Sequence, residues 1–337
     1  LDSSAIHDPA EARARLAALT REVALPAPAE LGEVFVERAE IGELSLFMVG
    51  LVARLGEHTV TGSAGGRAGF PVERAYFELI ERLSLFLTRA SGRALIVRDV
   101  DGLAIETRAC ARVFPEARPE ARRVRSLSNG VALHGSWGAA CNAALCELVE
   151  RDLVLRSFAG ESAPQPVTVD SDLATALRAH YALEAYAFAP RGARYQAAGL
   201  FLFPRSDEAP CCYGFGAAQE RRAAVRAAER EALQRLAFLW GEEIPREPPA
   251  ITATADAHQE YYLYPPHQAE LRAWLTGARF DADRARTASR FDGEATRFVD
   301  LTPAELLGSL YVAKAVSARA RVLHFGGAKG DVLHPVA

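Results

Sequence analysis

The chain has 337 residues, of which 50% are hydrophobic and 24% charged. That leaves ample apolar mass for a core and argues against disorder as the main state. A formal net charge of −4 at pH 7 supplies no basic field for nucleic acid. No apolar stretch is long enough to span a membrane, and no signal peptide opens the chain. Lys314 and Lys329 are the only lysines, and neither lies in a Gly-Lys-Ser/Thr tripeptide, so a P-loop is excluded. The cysteines are Cys110, Cys141, Cys146, Cys211 and Cys212, odd in number and without C-x-x-C, so neither a disulfide framework nor a zinc site is signalled. The expectation is a cytoplasmic protein without nucleic-acid or membrane partners.

Asp8 and Pro9 open a helix to about Val23, with Ala12, Leu16 and Leu19 at helical spacing. Leu25 to Pro28 reads as a linker, which makes 1–31 an N-terminal helix and linker and 32–337 the main domain. Strand-like runs follow at Val34–Val36, Ser45–Leu51, Ala94–Val97, Leu183–Phe188, Gly199–Phe203, Phe298–Leu301 and Tyr311–Val316. They alternate with long helices, which predicts a mixed α/β (α+β) fold.

Three helices look related. They span Pro71 to about Ala90, Gly138 to Phe158, and Ala217 to Trp240. Each follows glycines that read as a turn: Gly62 to Gly66, Ser128-Asn129-Gly130 through Gly135, and Gly214-Phe215-Gly216. Each ends near a glycine (Gly92, Gly160, Gly241), as helix C-termini often do. Within each lies E-x-x-(E/Q)-R: Glu78, Glu81, Arg82; then Glu147, Glu150, Arg151; then Glu231, Gln234, Arg235. Unequal separations rule out a solenoid and leave one core that uses a local device three times.

Residues three apart share a helix face, so Glu78 neighbours Glu81 and Glu147 neighbours Glu150. Both helices are apolar nearly all round and should be buried. A buried carboxylate pair costs several kcal/mol per ion, as an order of magnitude, unless cations compensate. One compensation is local, through Arg82, Arg151 and Arg235. The other is a hard divalent cation such as Mg²⁺, with the two pairs converging on a nucleotide and arginines holding its phosphates. His134, in the second glycine segment, reads as a hydrogen-bonded structural residue. The tail from His324 to Asp331 reads as a surface turn, with a phosphate cradle as its other reading.

The run from Ser128-Asn129-Gly130-Val131-Ala132 to Glu147-Leu148-Val149-Glu150-Arg151-Asp152 resembles the YcaO family signature. The first and third units resemble that family's earlier Glu-x-x-Glu-Arg and later Gly-x-Gly, Glu-x-x-Gln elements, and His334-Pro335 fits its C-terminal layout. The resemblance implies an ATP- and Mg²⁺-dependent, cyclodehydratase-like enzyme of peptide natural-product (RiPP) biosynthesis. Such an enzyme phosphorylates a backbone amide oxygen after a nucleophile has added; azoline formation is the best-known outcome. By carry-over, Glu78, Glu81, Glu147 and Glu150 are expected to hold Mg²⁺. Arg67, Ser128, Asn129, Arg151, Glu231 and Gln234 are expected to contact the nucleotide. The implied partners are a precursor peptide and a leader-peptide-binding protein, since the segment before Gly32 is too short to be a leader-binding domain. A homodimer is left open.

Three positions depart from the family pattern. Ala64 stands where a lysine is frequent, His134 replaces a glycine, and Gly138-Ala139-Ala140 opens the second helix without an acid. They support an alternative expectation, a catalytically degenerate scaffold that binds a precursor peptide or a partner enzyme.

Overall fold

The computed structural model describes residues 5–115, 121–189, 192–287, 291–328 and 331–336. Lys329 and Gly330 of the tail turn lie outside them. The first elements are α1 (Pro9–Glu22), β1 (Glu30–Ile41), β2 (Leu44–Leu55), β3 (His58–Gly66), α2 (Val72–Ser91), β4 (Leu95–Arg98), β5 (Ala104–Arg108), α3 (Cys110–Val113), β6 (Val124–Arg125) and β7 (Val131–His134). The middle holds α4 (Trp137–Phe158), β8 (Gln165–Val167), α5 (Ser171–Leu177), β9 (Tyr181–Ala187), β10 (Gln196–Pro204), β11 (Cys212–Ala218) and α6 (Arg221–Leu239). The remainder are α7 (Ala255–Tyr261), α8 (Gln268–Leu275), α9 (Ala282–Thr287), β12 (Arg297–Asp300), β13 (Tyr311–Val316) and β14 (His324–Phe325). The expected α/β mixture is present, and every strand-like run named above overlaps a strand, with Ala94, Phe188 and Leu301 lying just outside β4, β9 and β12.

The chain divides into two compact units. One comprises Leu1–Pro115, Gly130–Leu145 and Thr296–Val316; the other comprises Glu116–Asn129, Cys146–Ala295 and Ser317–Ala337.

In the first unit, β1-β2-β3 form an antiparallel sheet, with β2 almost wholly buried between its neighbours. Helix α2 lies on this sheet, burying Val72, Ala75, Tyr76, Leu79, Ile80 and Leu83, and α1 adds Leu16 and Leu19 to the same core. Burying a leucine such as Leu79 contributes about 1.5–3 kcal/mol. Asp8 caps α1 by accepting the Ala10 N–H at 2.9 Å. A second sheet of the unit has the order β5-β4-β12-β13-β7.

In the second unit, an antiparallel sheet of order β11-β10-β9-β8 carries α6. Its core is aromatic: Phe188, Phe201, Phe203, Tyr213, Phe215 and Trp274 pack together, with the Phe188 and Trp274 rings stacked 5.1 Å apart.

Two of the three glycine segments are not turns. Gly62 to Gly66 end β3, and Gly214 to Gly216 lie inside β11, which continues through Ala217 and Ala218 and delays the start of α6 to Arg221. The reason is close approach. A Cβ on Gly62 would lie 2.6 Å from the Ala75 carbonyl oxygen of α2. One on Gly214 would lie 2.5 Å from the Ala228 oxygen, and one on Gly216 2.6 Å from the Ala224 oxygen, both in α6. Glycine lets each helix rest directly on its strand. The recurring device is therefore a glycine-bearing strand covered by the helix that follows it. Gly130, by contrast, does sit in a turn, at φ +73°. Gly92, Gly160 and Gly241 all follow their helices with positive φ, as expected.

Candidate functional site

On the first unit, Glu78 and Glu81 project from α2. Glu78 is clamped on both oxygens: Oε2 accepts the Ser63 N–H of β3 at 3.2 Å, and Oε1 pairs with Arg82 at 2.6 Å. Burial pushes its carboxyl above the usual range, against the pull of Arg82, the Ser63 N–H and Arg74. Glu81 Oε2 accepts the Leu133 N–H of β7 at 2.8 Å. The close contact at Gly62 brings β3 near enough for its backbone to reach Glu78. Arg67 follows β3 and is exposed. Ala64 is buried among the apolar residues of this unit, so its position in the strand faces the core.

On the second unit, Glu147, Glu150 and Arg151 come from α4, and Glu231 and Gln234 from α6. Glu150 is only 7% exposed. Its carboxyl is pushed up to about 8, by burial first and also by the charges of Glu231 and Glu147, with Arg151 opposing. Arg151 Nε lies 3.6 Å from Glu150 Oε1 and 4.0 Å from Glu147 Oε1, beyond hydrogen-bond reach of either. Its Nε and Nη1 are buried without a hydrogen-bond partner. An orphaned buried donor costs about 1–3 kcal/mol, more on a charged group. Ser128 is exposed and Asn129 buried, both just before β7.

Arg82 and Arg151 thus do pair with their acids, whereas Arg235 engages other groups. It donates to the Gln259 carbonyl and lies over the Tyr213 ring, 4.2 Å from its centre. Asp152, the last residue of the central motif, is fully buried and structural. Its Oδ2 accepts Arg156 Nε at 2.7 Å and its Oδ1 accepts the Arg321 N–H at 2.7 Å. His134 is exposed at the end of β7, its Nδ1 accepting the Gly135 N–H at 2.9 Å, in keeping with a structural role.

The backbone donors Ser63 and Leu133 carried no sequence signal, because any residue supplies an N–H. His334 offered a weak one in its closing position. Its ring lies 4.2 Å from that of His258, and its Nε2 donates to the His324 carbonyl at 2.7 Å. Burial, with His258 and Arg151 acting in the same direction, pushes its pKa down to about 3, so the ring is neutral. A separate cavity of about 640 Å³ in this unit is lined by Val149, Leu153, Arg156, Phe188, Tyr195 and others, and by neither Glu147 nor Glu150.

Among the described residues, no three His, Cys, Asp or Glu side chains are already arranged as a metal site. The donor chemistry of the second unit nonetheless fits a hard cation with a phosphate. Three carboxylates repel one another, and a buried guanidinium presents two unsatisfied N–H donors.

Residues 103–320 match the sequence model of the YcaO family, described as YcaO cyclodehydratase, ATP- and Mg²⁺-binding. The chain belongs to the YcaO family. Among solved structures it is similar to YcaO from Methanopyrus kandleri bound with AMPPCP and Mg²⁺, at 18% identity and a TM-score of 0.57, covering 94% of this chain and 92% of that one. It is also similar to a heterocyclase in complex with substrate and cofactor, at 13% identity and a TM-score of 0.58, covering 87% of this chain and 50% of that one. A third likeness is to the E. coli microcin synthetase McbBCD complex, at 12% identity and a TM-score of 0.55, covering 84% and 87%. No curated protein sequence matches the chain. No helix among the described residues is long and apolar enough to cross a membrane.

Proposed function

We propose that this chain is an ATP- and Mg²⁺-dependent enzyme that activates backbone amides of a ribosomally made precursor peptide, with a leader-binding protein as partner, and that residues 32–337 are its YcaO-like domain. The observation that carries this reading is the buried pair Glu150–Arg151: Arg151 Nε and Nη1 are buried without a hydrogen-bond partner, and burial with two neighbouring carboxylates pushes the Glu150 carboxyl up to about 8. Glu147 and Glu150 would ligate Mg²⁺, with Glu231 and Gln234 beside them. Arg151 would give its Nε and Nη1 hydrogens to phosphate oxygens, a charge-assisted contact favoured by the dry surroundings. Glu78 and Glu81 on α2 are assigned to Mg²⁺ by the family motif, and Arg67, Ser128 and Asn129 to the nucleotide. When bound, ATP supplies a phosphoryl group that turns an amide oxygen into a leaving group. The task of the chain is to hold that group in line and to offset its charge.

Calorimetric titration with ATP and Mg²⁺ tests the reading. Wild type should bind, and Glu150→Gln should lose Mg²⁺-dependent binding while keeping its fold. Hydrolysis should be stimulated by peptide plus partner. A second reading, a degenerate scaffold, is supported by Ala64 lying in the core where the family often has lysine. A stable complex with a partner enzyme, without nucleotide affinity, would select it.

A further inference from the structure

In the second unit, a cleft of about 380 Å³ is lined chiefly by Arg156, Glu161, Arg284, Arg319 and Arg321. Four arginines thus share one small volume, with Glu161 as the one carboxylate lining it among the described residues. Cations gathered in this way repel one another, the more so where water is excluded. Burial first, and then the charge of Arg156, pulls the Arg321 guanidinium below the usual arginine range, with Asp152 opposing. The cluster is held in place. Arg156 is only 9% exposed, and its Nη2 donates to the Arg319 carbonyl at 3.1 Å, which ties the 319–321 segment to α4. Arg284 Nη1 donates to the Ala159 carbonyl at 3.0 Å.

The carboxylates around the cleft are engaged on every oxygen. Asp152 Oδ2 accepts Arg156 Nε, and its Oδ1 accepts the Arg321 backbone N–H. Glu161 Oε2 accepts Arg156 Nη1 at 3.0 Å, and its Oε1 accepts Arg321 Nη2. Asp281 Oδ1 accepts the N–H groups of Asp283 and Arg284, and its Oδ2 pairs with Arg284 Nε at 3.3 Å. The cations are less well served. Arg321 Nε is buried without a hydrogen-bond partner. Arg319 is exposed, and its guanidinium has neither a hydrogen bond nor an ion pair among the described residues. The cleft is left with positive charge and N–H donors, so a ligand that fits it brings negative oxygens.

We propose that this cleft is a phosphate-binding site, separate from the nucleotide site assigned above, in which Arg319, Arg321 and Arg284 hold the phosphoryl group of a small molecule and Arg156 backs them from α4. Several guanidinium forks favour phosphate over carboxylate, because phosphate offers more oxygens and up to two charges. Helix geometry keeps the two sites apart. Arg156 lies five residues beyond Arg151 on α4, which turns it by about 140° round the helix and moves it about 7.5 Å along the axis. The same chemistry is carried by free phosphate and by the phosphates of a nucleotide, and the two are separable by titration.

Titration of the full chain with inorganic phosphate, without Mg²⁺ and followed by ³¹P NMR, tests this. Wild type should bind, and Arg319→Glu should weaken binding by roughly tenfold or more. Arg319→Ala should weaken it less. Both variants should keep the Tm of wild type, since the Arg319 guanidinium holds no other group in place. The Arg319 effect should persist in an Arg151→Lys background, which separates it from phosphate held at Arg151. Mg²⁺-dependent ATP binding should survive Arg319→Glu, so failure here and failure of the enzymatic reading are told apart. Titration with ADP in the same buffer identifies the source. Binding that is tighter than phosphate and is weakened by Arg319→Glu assigns the cleft to a nucleotide phosphate; weaker or equal binding assigns it to free phosphate. No binding at roughly 10 mM phosphate, above the range of millimolar affinities, overturns the proposal. So does binding indifferent to both Arg319 variants, displacement by an equal concentration of chloride, or tighter binding of a dicarboxylate such as glutarate.

Discussion

Glu150 and Arg151 are adjacent in sequence and form an ion pair 3.6 Å apart, beyond hydrogen-bond reach. The guanidinium keeps two buried N–H groups without a partner, and the carboxyl is pushed to about 8. Burial, with the charges of Glu231 and Glu147, outweighs the pull of Arg151 on that carboxyl.

One consequence is a pH dependence of stability. The Glu150 carboxyl would ionise near 4.5 in the unfolded chain and does so at about 8 in the folded one. Between those values the folded state holds a proton that the unfolded state has released. Its contribution is therefore full below 4.5 and is lost as pH rises through 8. The Tm of the metal-free protein should fall across this window, and Glu150→Gln should flatten the slope. An unchanged slope would mean that another group governs it.

Arg151 separates charge from geometry. Arg151→Lys keeps the cation but loses the fork of donors. ATP affinity should drop by about tenfold to a hundredfold, in line with the worth of charged hydrogen bonds. Calorimetry on the variant gives the number directly, and circular dichroism checks that the fold persists.

At Glu81, the backbone contact and the proposed metal contact can be told apart. Glu81→Gln retains an acceptor for the Leu133 N–H and should cost less than about 1 kcal/mol in urea unfolding. Mg²⁺-dependent ATP turnover should nevertheless be abolished. Glu81→Ala should lose both, with an added destabilisation of about 1–3 kcal/mol from the orphaned N–H.

Gly214→Ala tests the close helix–strand contact. The added methyl meets the backbone of α6 rather than the end of a flexible side chain. Overpacking of this kind costs about 1–3 kcal/mol or more, so Tm should fall by several degrees. A neutral outcome would mean that α6 can slide off the strand.

Sequence alone carried the α/β class, the strand runs, the three related helices and the spacing of Glu78, Glu81, Glu147 and Glu150. Those are periodic or local properties, set by side chains three or four residues apart and by helix-ending glycines. Tertiary structure decided what those glycines were for. Gly62, Gly214 and Gly216 read as turns, but they serve strands on which a helix presses, and only the packed partner distinguishes the two. It also decided that Arg235 turns to Tyr213 and Gln259 while Arg151 stays with its acids. The backbone donors at Ser63 and Leu133 likewise emerge only from the fold. Whether a charge is paired depends on what lies beside it in space, and sequence spacing fixes that only along a single helix.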